Sequence, residues 1–128
     1  MLPVVPELER SHDLVVDIVR RASHILGEDL TPRTRTLIGR MGNLAADMWR
    51  EAVDCWRQRD RSAAVALGER DYEMKELYAS LTAEIASGRM TVPVTMEMTL
   101  VGRFYERLAD DAFNIARRVV YRAGSAHG

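Results

Sequence analysis

LVGRFYERLADDAFNIARRVVYRAG, residues 100–124, is the stretch whose reading decides the fold. Its apolar residues recur at Val101, Phe104, Leu108, Ala112, Ile115 and Val119, the three-and-four spacing that gathers side chains on one helix face. That face is expected to enter a core. On a neighbouring face Glu106, Asp110 and Asn114 stand four residues apart, so their side chains stack turn upon turn. Two like charges at this spacing repel by about 0.2–0.5 kcal/mol in an isolated helix. A solvated face more often alternates its signs, so the acidic pair implies a cation alongside.

A second stretch repeats the first. Residues 8–27, LERSHDLVVDIVRRASHILG, lie over residues 105–124, YERLADDAFNIARRVVYRAG, without a gap. Glu9 meets Glu106, Arg10 meets Arg107, Asp13 meets Asp110, Asp17 meets Asn114 and Ile18 meets Ile115. Arg20, Arg21 and Gly27 likewise meet Arg117, Arg118 and Gly124. Self-similarity at a fixed offset marks an internal repeat.

Working outward, four helices are expected. The first covers about residues 7–26, with Leu8, Val15, Ile18, Val19, Ala22, Ile25 and Leu26 on its apolar face and Gly27 as its stop. Thr31-Pro32 then reads as an N-cap followed by proline at the first helical position, opening a helix over about 32–59. This second helix carries two apolar stripes: Leu37, Met41, Leu44, Met48, Ala52 and Cys55, and Ile38, Ala45, Trp49 and Trp56. So wide an arc implies contact with more than one neighbour. The polar break at 57–61, with Asp60 as N-cap, leads to a third helix over about 61–87 whose inner face holds Leu67, Met74, Leu77, Tyr78, Leu81 and Ile85. Gly68 weakens this helix without ending it, and Gly88 stops it. Thr91-Val92-Pro93 opens the last helix, which runs to about residue 123. No stretch alternates strictly enough for a strand. The reading is an all-α, antiparallel four-helix bundle forming one domain over 1–128.

Composition sets limits on function. With 18 basic and 19 acidic residues and a net charge of −1 there is no basic excess, which argues against nucleic-acid binding. The single cysteine, Cys55, precludes an intrachain disulfide and fits a reducing compartment as a buried small hydrophobe. No apolar run approaches the roughly 18 residues of a membrane span, and the start MLPVVPELER lacks the basic flank of a signal peptide. A soluble, cytoplasmic protein without direct membrane insertion is expected. No glycine-rich phosphate loop and no Ser/His/Asp or Cys/His frame points to an enzyme.

From about residue 38 to 124 the chain resembles the PhoU family of phosphate-transport regulators. The segments that carry the resemblance are MGNLAADMWREAVDCWRQRDRSAAVAL, ERDYEMKELYASL and VPVTMEMTLVGRFYERLADDAFNIARRVVYRAG. A PhoU repeat is a three-helix unit with an aromatic or leucine before ERxxD and NIA on its third helix and a DxxxD frame on its second. Residues 32–124 resemble one complete, C-terminal repeat, and 8–27 resemble the third helix of a preceding one. Two departures stand out: the first two helices of that preceding repeat have no counterpart, and Asp71 opens the DxxxD frame but Lys75 replaces its second acid.

The resemblance implies a non-enzymatic regulator of phosphate uptake and phosphate-starvation signalling, touching the phosphate transporter ATPase subunit and a sensor histidine kinase. It also implies a divalent metal ion or iron on the acidic helix faces, with Glu106 and Asp110 as ligands, Asp71 contributing, and Glu9 and Asp13 holding the equivalent frame on the first helix. Carboxylate oxygens suit such hard cations. The alternative is a salt-bridge network of Arg10, Arg103, Arg107 and Lys75 with the same acids. A ferritin-like di-iron centre does not fit: Glu9 and His12 supply one ExxH, but alanine stands at position 109 where a second histidine would fall. Other readings are a metal-binding or storage-type bundle and a structural self-assembly module. Self-association covering the face of the missing helices gives an expected homodimer.

Overall fold

A computed structural model describes residues 30–59 and 61–126, the side chains of 119–126 excepted. Three helices fill this span: α1 (Pro32–Gln58), α2 (Arg61–Ala86) and α3 (Val92–Ala126). There is no strand among the described residues. The expected helix over residues 7–26, and with it the four-helix count, lies outside the described residues.

Each boundary has a local cause. Thr31 adopts an extended backbone (φ −63°, ψ 152°) and its hydroxyl accepts from the Thr34 N–H at 3.2 Å, while Pro32 begins the helix where no N–H is needed. At the other end Arg59 turns left-handed (φ 53°, ψ 44°) and returns its N–H to the Cys55 carbonyl at 2.7 Å. Gly88, at φ 73°, ends α2 in a conformation that a Cβ would disfavour. Its N–H reaches the Ile85 carbonyl, and the Ser87 hydroxyl donates to the Glu84 carbonyl at 2.6 Å. The connections are so short that each helix folds back on its predecessor, and all three helices pack against one another.

The core sits along their common axis. Met41, Met48, Leu67, Met74, Leu81, Met98 and Tyr105 are its large, fully buried side chains. On α1 the first expected stripe is buried from Leu37 to Cys55, and the second through Trp49, with Trp56 half-buried. On α2 Leu67, Met74, Leu77 and Leu81 point inward as expected, whereas Tyr78 and Ile85 sit at the margin.

On α3 the expected face needs correction. The buried line is Val94, Met98, Tyr105, Ala109, Ala112 and Ala116, with Gly102 among them. Of the expected set only Ala112 belongs to it. Val101, Leu108 and Ile115 are partly buried at its edge, Phe104 faces outward at 37% exposure, and the Val119 side chain is outside the described set. Close packing explains the choice. A Cβ on Gly102 would lie 2.5 Å from Leu81 Cδ2, and one on Gly68 would lie 3.2 Å from the Phe113 ring, so α2 and α3 approach across small residues. The inner line is wide at Met98 and Tyr105 and narrow at Gly102, where the Leu81 side chain fills the space a Cβ would take.

Candidate functional site

The inward line of α2 reads Ala64, Leu67, Asp71, Met74, Leu77, Leu81 and Glu84, so two acids occupy positions where the spacing demands apolar groups. Each is anchored differently. Glu84 accepts from the Thr31 hydroxyl at 3.1 Å and lies 3.7 Å from the Arg33 guanidinium, which ties the end of α2 to the start of α1.

Asp71 is the centre of the candidate site. Only 4% exposed, it receives the Lys75 ammonium on Oδ2 at 2.8 Å, one helical turn further along α2. The same ammonium donates to Asp110 Oδ1 on α3 at 3.2 Å, so one cation bridges two carboxylates across the α2–α3 seam. Asp71 Oδ1 is buried without a hydrogen-bond partner. Burial pushes the Asp71 carboxyl above its ordinary range; the Lys75 hydrogen bond opposes this, and the neighbouring Asp110 adds to it. The hydrogen bond that Lys75 donates to Asp71 in turn raises Lys75, which holds the ammonium protonated.

Beyond this seam the remaining acids separate. Glu106 lies half-buried one turn before Asp110 and lines a surface groove with Leu100, Arg103, Phe104, Arg107 and Asp110. It has no ion pair among the described residues. Glu9 and Asp13 lie outside the described residues. Asp71 and Asp110 are thus brought together by Lys75, which serves one acid, Asp110, of the spaced pair on α3.

A second bridge on α2 was not anticipated. Arg70 reaches Glu51 at 3.0 Å and Asp47 at 4.0 Å, both on α1. Burial raises Glu51 more than Arg70 lowers it. Asp47 and Glu51 stand four residues apart, so the spacing rule applied to α3 points here as well. Through Arg70 and Lys75, α2 supplies the cation to both of its seams.

Among the described residues no three His, Cys, Asp or Glu side chains converge closely enough to hold a metal ion, and an ammonium already stands between the two nearest carboxylates. What the described residues display is electrostatic pinning of α2 to both of its neighbours.

Comparison with known proteins identifies the framework. The PhoU domain matches residues 38–119, from within α1 into the second half of α3. The chain belongs to the PhoU family. It is 28% identical to the phosphate-specific transport system accessory protein PhoU homolog 1 of Mycobacterium leprae, over 95% of this chain and 56% of that protein. PhoU homolog 2 of Mycobacterium tuberculosis is 26% identical over 98% of the chain and 60% of its own length. The PhoU homolog of Rhizobium meliloti is 26% identical over 96% and 54%. The chain thus spans between half and about three-fifths of these relatives. No solved structure matches it. Within the PhoU frame, Asp71, Lys75, Glu106 and Asp110 all fall inside the matched region, whereas residues 8–27 precede it.

Proposed function

We propose that this chain is a non-enzymatic accessory regulator of phosphate transport. It would contact the ATPase subunit of a phosphate transporter and a membrane-bound sensor kinase at the cytoplasmic face, and hold the starvation response off when phosphate is plentiful. The observation that carries the reading is the PhoU match over residues 38–119, with relatives named for the phosphate-specific transport system. The fold is compatible with it. No described helix is long and apolar enough to cross a membrane, and the pinned helices present a rigid polar surface to protein partners. The working assembly is a homodimer. The test is deletion of the gene in its host, with phosphate-responsive transcription followed in rich medium. Derepression is the expected result, and unchanged repression refutes the proposal.

The unpartnered Asp71 Oδ1 favours a second reading, in which a divalent cation or iron is held by Asp71, Glu106 and Asp110, with Glu9 and Asp13 as a second frame. Lys75 would first have to swing away. Metal analysis of protein purified without chelator decides it: stoichiometric metal that disappears in Glu106→Ala or Asp110→Ala supports this reading, and metal-free wild-type protein refutes it.

A further inference from the structure

We propose that the outward face of α3 is the surface through which two copies of this chain meet, running antiparallel about a two-fold axis. This names the surface of the dimer introduced above and uses nothing from the phosphate reading. Met96, Leu100 and Phe104 follow one another at four-residue intervals on α3 and are 62%, 64% and 37% exposed. They lie away from the buried line of Met98, Tyr105, Ala109 and Ala112. Beside them runs a groove of about 560 Å³, lined by Leu100, Arg103, Phe104, Glu106, Arg107 and Asp110. Exposed apolar groups clustered beside a charged rim are characteristic of an interaction surface.

The charge pattern selects the occupant. Place the two-fold axis between positions 106 and 107 of antiparallel α3 helices. Arg103 then stands opposite the partner's Asp110, and Arg107 opposite the partner's Glu106. Symmetry repeats both pairs, so the eight charges lining the two grooves find an opposite sign, with Asp110 shared between the partner's Arg103 and its own Lys75. Parallel helices in register would instead set each arginine against its own copy. An acidic peptide or an anionic lipid surface would satisfy the arginines and leave Glu106 and Asp110 facing like charge. Only a face carrying the same pattern in reverse order complements both. Phe104 then lies nearest the axis, with Leu100 and Met96 one and two turns further out on each side.

Light scattering and equilibrium sedimentation of the full chain at tens of micromolar test the idea, with a dimer expected. The double variants R103E/R107E and E106R/D110R each place four like charges in the groove and should be monomeric alone. Mixed in equal amounts, they should associate one to one. Because Asp110 also touches Lys75, Leu100→Glu serves as a second probe at a position exposed to solvent, and should raise the dissociation constant roughly tenfold or more. A monomeric wild-type chain overturns the proposal, as do dimers indifferent to Leu100→Glu or well-folded double variants that do not associate on mixing. These outcomes concern purified protein alone, so a negative result leaves the transcriptional test untouched.

Discussion

Replacing Lys75 by methionine keeps much of its aliphatic length and removes the one ammonium that serves Asp71. At 2.8 Å and an effective dielectric of 20 the bare attraction is about 6 kcal/mol. The Lys75 side chain is 52% exposed, however, so water and salt screen most of this. Asp71 is the buried member, and stranding it is the main cost, about 1–3 kcal/mol after that discount. Protonation sets a ceiling. Binding a proton at pH 7 to a carboxyl of ordinary pKa 3.8 costs about 4 kcal/mol, and at pH 5 only about 1.6 kcal/mol.

The loss caused by Lys75→Met should therefore be about 1–3 kcal/mol at pH 7 and be smaller at pH 5, where protonation caps it at about 1.6 kcal/mol. The sign follows from linkage. Asp71 already lies above its ordinary value, and removing the cation raises it further. A carboxyl with a raised folded-state pKa contributes most stability below its unfolded value and loses it as pH rises through the folded value. Urea unfolding followed by tryptophan fluorescence, with buried Trp49 as reporter, measures the difference at both pH values. Asp71→Asn combined with Lys75→Met should abolish the pH dependence. A loss under about 0.5 kcal/mol at pH 7, or one that is the same at pH 5, would refute the reasoning.

Three further substitutions test the packing. Gly102→Ala should destabilise by about 1–3 kcal/mol because its Cβ would meet Leu81 Cδ2 at 2.5 Å in a closed interior. Gly39→Ala, with nothing within 4 Å, should instead stabilise α1 by up to about 1 kcal/mol; thermal melts of the two variants should shift in opposite directions. Tyr105 is fully buried with no hydrogen-bond partner for its hydroxyl, so Tyr105→Phe should be neutral or stabilising by about 1 kcal/mol. Burial pushes its phenol up to about 12, so its contribution to stability holds below pH 10 and is lost as pH climbs toward 12. The tyrosinate absorbance step near pH 12 should be missing from the variant.

Much of this architecture is legible in residue order alone. Thr31-Pro32, the polar break before Arg61, Gly88 and Thr91-Val92-Pro93 mark the three described helices to within a few residues, because caps and stops are local chemistry. The stripes of α1 and most of α2 are equally readable, since one face of each is clearly the more apolar. The ExxxD spacing on α3 implied a cation, and Lys75 stands beside Asp110 but not beside Glu106, which has no ion pair among the described residues. The family resemblance on the YERLADDAFNIARR segment agrees with the PhoU match.

The inner face of α3 was not legible in this way. That helix carries two apolar lines, one through Phe104 and Leu108 and one through Met98 and Tyr105 that continues in small residues at Ala109 and Ala116, and periodicity over residues 100–124 ranks the first line ahead. Which line turns inward depends on how closely α1 and α2 approach, a distance that no window of one helix contains. The Arg70 bridge to Asp47 and Glu51 belongs to the same class, as does the burial of Asp71 behind Lys75. Residue order by itself determined where helices begin and end, because hydrogen bonds at their termini close within four residues. Only the packed structure decided which sides face inward and which charges meet, because those energies depend on separations between segments far apart in the chain.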